Sequence, residues 1–208
     1  MLLAMAGNQR DSQQQLGYIV RPLDASTWDA FAELVVRNNG IFGGCWCMGF
    51  HPERIRAQRE ADYPGHRAAK EARVREGRAH AALVFDGDGV AQGWCQYGRP
   101  EELPTIKHRR EYDKDTPPLP DWRITCFYVD TKHRGRGIAR AALGGALEQI
   151  AAAGGGLVEA ISEVTEGREA AGRFLFSATV ELFSDHGFSR VRQVGKHAWI
   201  VSKQVEPA

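Results

Sequence analysis

Residues 122–139 read WRITCFYVDTKHRGRGIA, and the rest of the predicted fold can be built outward from them. Residues 122–129 are rich in β-branched and aromatic side chains, which predicts a strand. From residue 138 onward, apolar side chains recur at the spacing of a helix, which should end before the glycines at 154–156. Glycines and basic side chains are therefore concentrated where a strand passes into a helix.

The turn between this strand and this helix is suited to an anion. The first four N–H groups of a helix have no acceptor within it, and the helix dipole adds about half a positive charge there. Gly135 and Gly137 remove the side chains that would keep a ligand away from those groups. Lys132, Arg134 and Arg136 add full positive charges. We expect a phosphate or diphosphate at this turn, with a ligand-free exposed turn as the alternative.

Two familiar phosphate-binding motifs fit the turn less well. The P-loop requires Gly-Lys followed by Ser or Thr, a combination that the sequence lacks. The dinucleotide fingerprint requires a third glycine, and Arg140 occupies that place. Because Glu159 follows about twenty residues later, as that fingerprint asks, a dinucleotide stays open as a minor alternative.

Strand and helix patterns alternate along the rest of the chain. A helix is expected after Ser26, which is placed to cap it, and a DGDG turn predicts a hairpin over residues 80–97. The other expected elements are a strand near 17–24, a strand or tight loop at 41–50, helices within 53–77, a strand at 157–162, a helix at about 173–186 and a closing hairpin over 188–203.

This order of elements predicts the fold class. A strand–helix–strand order implies one parallel pair, whereas the hairpins imply antiparallel neighbours. The predicted fold is α/β, in the α+β sense: three layers, with a mixed and mostly antiparallel central sheet of six to seven strands and helices on both faces.

The composition excludes several classes of protein. A length of 208 residues predicts one domain, residues 17–208, after a flexible polar tail at 1–16. The formal net charge is +1, whereas a dedicated nucleic-acid binder usually carries a basic excess. No apolar run approaches the roughly 20 residues that span a bilayer, and the N-terminus lacks the basic start of a signal peptide. We predict a cytoplasmic protein without membrane or nucleic-acid partners, whose cysteines are reduced thiols rather than metal ligands.

The motif at the turn also resembles that of a known family. Residues 134–139, RGRGIA, fit the pattern Arg/Gln-x-x-Gly-x-Gly/Ala that marks the acyl-CoA site of the GNAT superfamily of N-acyltransferases, and HGF at 186–188 follows in the same order of elements. The resemblance covers residues 17–203 and implies a sheet that splays between 123–129 and 157–162, with the pantetheine arm of CoA in the splay. The residues it assigns to acetyl-CoA are Phe127, Tyr128, Val129, Arg134, Gly135, Arg136, Gly137, Ile138 and Ala139.

The resemblance implies an N-acetyltransferase, which moves an acetyl group from acetyl-CoA to a primary amine of a small molecule or protein by direct attack. In this superfamily a tyrosine four residues before the glycine of GF often protonates the leaving thiolate, but Phe183 stands there in this sequence. This departure keeps open a catalytically silent acyl-CoA-binding module. A third reading, an RNA-contacting domain, is disfavoured by the net charge.

In a competent transferase, water or another side chain replaces the missing acid, or the step needs no acid from the enzyme; a base or a water chain must still take the proton of the amine. Tyr128 and Ser177 are candidates for the acid, and Glu159 is a candidate for the base that takes the proton of the amine. The oxyanion can be held by backbone N–H groups around Tyr128 and Val129.

The acceptor pocket is expected from aromatic residues of the N-terminal half and from the hairpin. The candidates are Trp46, His51, Trp94 and Tyr97, although core packing explains such aromatic residues equally well. The basic run at 107–110 is expected to be a solvated loop; if it lines the acceptor groove, it favours an acidic acceptor. The predicted partners are acyl-CoA and an amine, with a homodimer left open and no metal.

Overall fold

The computed structural model describes residues 17–53, 65–115, 118–167 and 175–208, so the predicted tail at 1–16 lies outside the described residues. Seven strands form one sheet in the order β1-β2-β3-β4-β5-β7-β6. Their bounds are Ile19–Pro22, His80–Phe85, Ala91–Gly98, Trp122–Val129, Gly156–Glu163, Ser189–Gln193 and Ala198–Val205 for β1 to β7. β4 and β5 are the one parallel pair among these strands, which confirms the predicted mixed, mostly antiparallel sheet.

Helices cover both faces of this sheet, as predicted. α1 and α3 lie on one face, and α5 and α6 lie on the other. The bounds are Trp28–Arg37 for α1, Ile41–Gly44 for α2, Gly65–Arg75 for α3, Arg109–Tyr112 for α4, Ile138–Ala152 for α5 and Val180–Ser184 for α6. A short 3₁₀ helix, Thr131–His133, connects β4 to the glycine-rich turn.

The two larger hydrophobic clusters lie on opposite faces of the sheet, in keeping with the alternation of side chains along the strands. In β2, Ala82 and Val84 face α5, whereas Leu83 faces α1. Phe31 and Leu34 of α1 are three residues apart and fully buried against the sheet, the spacing that places two side chains on one face of a helix.

The parallel pair β4–β5 is short, and the two strands separate beyond it. They pair only through Trp122, Arg123 and Ile124 of β4, which face Val158, Glu159 and Ala160 of β5. On the other side of β4, Gln96 pairs with Cys126 and Tyr97 pairs with Ile124, so Thr125 forms a β-bulge. Because a bulge bends the strand that carries it, β4 leaves β5 at this residue and a splay opens between them.

Two local predictions are wrong in detail, the cap of the first helix and the length of the helix at 173–186. Ser26 does not cap α1, because its hydroxyl donates to Asp24 at 2.6 Å and the helix begins at Trp28. Residues 41–50 form one helical turn and further turns, so the tight loop is observed rather than the strand. The helix predicted at 173–186 is Val180–Ser184 within the described residues.

Candidate active site

A cleft of about 430 Å³ lies in the splay between β4 and β5, at the N-terminus of α5. It is lined by eight of the nine residues that the sequence analysis assigned to acetyl-CoA: Phe127, Tyr128, Val129, Arg134, Gly135, Gly137, Ile138 and Ala139. Arg136 is exposed and is not part of this lining. The other lining residues, which carry no motif in the sequence, are Phe42, Arg140, Leu175, Ala178, Thr179 and Leu182.

The glycine-rich turn leaves backbone amides available at the mouth of the cleft. Gly135 and Gly137 have φ values of 74° and 80°, the left-handed region that favours glycine. Gly137 is the N-cap of α5, and no side chain in the described part of the chain caps that helix. The amides of the first turn can therefore donate to an anion in the cleft.

Asp130, just before the 3₁₀ helix, connects this turn to α1 through hydrogen bonds. Its buried carboxylate accepts hydrogen bonds from Arg37 Nε at 3.0 Å, Asn38 Nδ2 at 3.1 Å and the Lys132 amide at 3.0 Å. Burial alone would raise the pKa of Asp130, but these hydrogen bonds outweigh it and lower the pKa to about 2. The turn is thus tied to the end of α1 by an ionised carboxylate.

Beyond Ile124, β4 no longer pairs with β5, and the backbone amides that point into the splay differ from those expected from the sequence. The Phe127 amide points into the splay, where it donates to the carbonyl of Phe176 at 2.6 Å. Since amides alternate along a strand, Val129 also points into the splay and Tyr128 points toward β3. The candidate oxyanion donors are therefore the amides of Phe127 and Val129. The side chain of Tyr128 lines the cleft, and the centroid of its ring lies 5.0 Å from that of Trp94. Burial raises the pKa of the Tyr128 hydroxyl.

A small cavity lies beyond the closed end of the splay, on the α1 side of the sheet. It measures about 20 Å³, room for one water molecule, and its polar lining consists of Lys107, Arg123, Thr125 and Glu159. Burial raises the pKa of Glu159, although a hydrogen bond from the Tyr112 hydroxyl at 3.3 Å opposes the shift.

Glu159 lines this cavity but not the cleft, so it is not in one cluster with Tyr128. Ser177, the third predicted catalytic residue, is buried, and its Oγ lies 3.1 Å from Lys107 Nζ. Arg123 donates from Nη1 to the Leu103 carbonyl at 3.0 Å, and its Nε has no acceptor within the described residues. Lys107 and Arg123 are candidates that the sequence analysis did not assign to the site.

The four predicted acceptor residues do not form one pocket. Trp46 and Trp94 are buried beside Phe31 in the core beneath α1, with ring centroids 6.3 and 4.9 Å from it. Tyr97 lies on the opposite face of the sheet, and its hydroxyl donates to Gln149 of α5 at 2.8 Å. Residues 94 and 97 differ by an odd number, so the alternation of a strand places them on opposite faces.

His51 belongs to a fully buried polar network. Its Nδ1 lies 3.1 Å from the Glu102 carbonyl, which assigns the proton to Nδ1. Its Nε2 lies 2.8 Å from Gln96 Nε2 and 3.1 Å from Lys70 Nζ. Burial and the neighbouring Lys70 hold the pKa of His51 far below its usual range, so the ring is a neutral hydrogen-bond partner. The described residues contain no group of three or more potential metal ligands, and the cysteines are free thiols.

Phe183 is fully buried in the core beneath α5, outside the cleft lining. Its ring meets Phe127 and Phe188 edge-on, with centroids 5.9 and 4.9 Å away. This position therefore supplies hydrophobic packing rather than a proton donor.

A mixed sheet that splays at its parallel pair, with uncapped amides at the mouth of the splay, defines the N-acyltransferase class of folds. The profile of the acetyltransferase (GNAT) family matches residues 44–177, more than half of the chain, and the chain belongs to this family. No protein of curated function matches the chain at the level of sequence.

Solved structures share the fold at low sequence identity. A structure from Corynebacterium glutamicum, described as histone acetyltransferase HPA2 and related acetyltransferase, is 16% identical with a TM-score of 0.51, covering 92% of this chain and 97% of that one. A proposed acetyltransferase from Acinetobacter baylyi is 14% identical with a TM-score of 0.51, covering 91% and 96%. None of the helices in the described ranges is long and apolar enough to cross a bilayer.

Proposed function

We propose that the protein is an N-acetyltransferase that transfers the acetyl group of acetyl-CoA to a primary amine. The observation that carries the proposal is the cleft between the edge of β4 that has separated from β5 and the uncapped turn at Gly135 and Gly137. Its volume, about 430 Å³, is in the usual range for a small-molecule site. The diphosphate of CoA would lie on the turn, with Arg134 beside it, and the pantetheine arm would run along β4 towards Phe127.

The amides of β4 would stabilise the charge that develops during the reaction. The amine nitrogen attacks the thioester carbonyl carbon, and the carbonyl oxygen becomes an oxyanion. The amides of Phe127 and Val129 point into the splay and can donate to it. The carbon–sulfur bond then breaks and the thiolate of CoA leaves.

Glu159 is proposed as the base. A lysine-like amine has a pKa of about 10.4, so its neutral form costs roughly 4–5 kcal/mol at pH 7. A buried carboxylate with a raised pKa is a better proton acceptor than an exposed one, and Glu159 lines the cavity at the closed end of the splay. The proton of the amine would pass to Glu159 directly or through the one water that fits there.

The acceptor is proposed to enter from the α1 side of the sheet, opposite the cleft. Phe50 and Ile106 belong to the apolar lining of the small cavity there, and Phe50 packs against the cluster that contains Trp46 and Trp94. Tyr97 lies on the α5 face of the sheet and is not included in this proposed pocket. Tyr128 and Ser177 stay candidates for protonating the thiolate, with solvent as the alternative.

A silent acyl-CoA-binding module is the second candidate, because Phe183 removes the usual acid. A thiol-release assay with acetyl-CoA across a panel of primary amines separates the two, alongside calorimetry with CoA. Turnover on any amine supports the transferase. Micromolar binding without turnover supports the binding module, and no binding of CoA or acetyl-CoA refutes both.

A further inference from the structure

Residues 175–178 cross the splay between β4 and β5 in a non-helical conformation. At one side, the Phe176 carbonyl accepts from the Phe127 amide at 2.6 Å. At the other side, the Ala178 carbonyl accepts from Ser162 Oγ at 3.0 Å and from the Glu163 amide at 3.3 Å. We call residues 175–178 the strap.

The strap separates the cleft from the small cavity. Leu175 and Ala178 line the cleft. The ring of Phe176 lies between the two spaces, with its centroid 6.3 Å from that of Phe42 in the cleft lining and 6.0 Å from that of Phe50 in the cavity lining. A thioester in the cleft and an amine in the cavity would thus be kept apart in this arrangement. The strap also uses the Phe127 amide, one of the two amides that the proposed reaction needs for the thioester oxygen.

Lys107 anchors the strap from the cavity side. Its Nζ forms an ion pair with Glu163 at 2.8 Å, lies 3.1 Å from Ser177 Oγ and lies 4.5 Å from the ring centroid of Phe176. One cation therefore contacts the strap at two successive residues and ties it to the end of β5. The side chain is about one-fifth exposed, so these contacts are only partly screened by water.

We propose that the strap is a displaceable competitor of the acyl donor, and that Lys107 is the positioning residue that holds it on the Phe127 amide. The thioester oxygen must replace the Phe176 carbonyl before acyl transfer, and the same displacement joins the cleft to the cavity. This inference rests on the function proposed above. It makes donor affinity depend on Lys107, which is not in the cleft lining.

The first test measures the strap without any ligand. Residue-resolved hydrogen exchange should show that the amide of Phe127 is protected in the wild type. In Lys107→Met it should exchange about three- to tenfold faster, because the contacts of Lys107 with the strap, about as strong as one hydrogen bond, are lost. Lys107→Arg should restore protection, since a guanidinium can keep the ion pair and the ring contact. Lys114→Met, which breaks an exposed ion pair with Glu111, is the control and should exchange like the wild type.

The second test measures donor binding by calorimetry. Lys107→Met should bind acetyl-CoA about three- to tenfold more tightly than the wild type, with unchanged affinity for 3′-phosphoadenosine 5′-diphosphate, which lacks the pantetheine arm. Unchanged exchange at Phe127, or weaker acetyl-CoA binding in Lys107→Met, overturns the strap. Absence of binding of both probes to the wild type and to Lys107→Met would overturn the proposed function, and the donor competition with it.

Discussion

Replacing Gly135 with alanine should weaken acetyl-CoA binding far more than it weakens the fold. Gly135 has a φ of 74°, and a Cβ built there would meet no other atom within 4 Å. The left-handed conformation costs an alanine about 1–2 kcal/mol, and the loss of chain entropy in the unfolded state offsets about 0.4–1 kcal/mol of that. The expected loss of stability is therefore about 1 kcal/mol.

The loss of affinity should be larger because the new methyl group points to the open space where the diphosphate is proposed to lie. Displacing one charge-assisted hydrogen bond costs about 1.5–3 kcal/mol, which is about a 10- to 100-fold rise in Kd. Calorimetry with acetyl-CoA measures the affinity, and urea unfolding measures the stability.

Gly89 provides a matched control for this substitution. Its φ is 76°, and a Cβ built there also meets nothing within 4 Å, but it lies in the hairpin turn between β2 and β3. Gly89→Ala should lose the same stability as Gly135→Ala and bind acetyl-CoA like the wild type. Equal affinity in both variants would show that the turn at Gly135 does not hold the diphosphate.

Three further substitutions test the proposed base, the core position of Phe183 and the buried polar network of His51. Glu159→Gln should lower kcat about 100-fold and remove the fall in kcat that the wild type shows as pH drops through the raised pKa of Glu159; an unchanged pH–rate profile would exclude it as the base. Phe183→Tyr should leave thiol release no faster and lower the free energy of unfolding by about 1–3 kcal/mol, because the new hydroxyl is buried without a partner; a gain in kcat would contradict this. Lys70→Met should raise stability by about 1 kcal/mol at pH 7, since burial lowers the pKa of Lys70 and the unfolded chain binds more protons. That gain should shrink as urea unfolding is repeated from pH 7 towards pH 10, and a pH-independent difference would refute it.

The central part of the fold could be predicted because its signals are local. The DGDG turn sets the β2–β3 hairpin, and the glycines after Ala153 end α5, as the sequence indicated. The helix predicted at 173–186 begins only at Val180, because the contacts of residues 175–178 with the sheet outweigh the helical pattern of the sequence. Ala178 adopts a φ of 58°, and the strap bonds to the edges of β4 and β5 instead of extending α6.

The anion-binding half of the site was accessible from sequence, whereas the acceptor half was not. The residues of the turn are contiguous, so a motif describes them. Lys107 and Arg123 reach the small cavity from different segments, and no spacing relates them. The separation of Trp94 from Tyr97 could have been foreseen, since their odd spacing in one strand was available.

The bulge at Thr125 links the packing of the core to the chemistry. Without it, Ile124, Cys126 and Tyr128 would share one face of β4, but Ile124 packs beneath α5 while Cys126 and Tyr128 pack beneath α1. The extra residue reverses the alternation midway along the strand. Amides and side chains alternate in step along a strand, so the inserted residue turns both. It points the Phe127 amide to the splayed edge and its ring into the core beneath α5. One inserted residue thus opens the cleft, aims the amide that the strap now occupies, and places Phe127 against Phe183, where an acid would otherwise be expected.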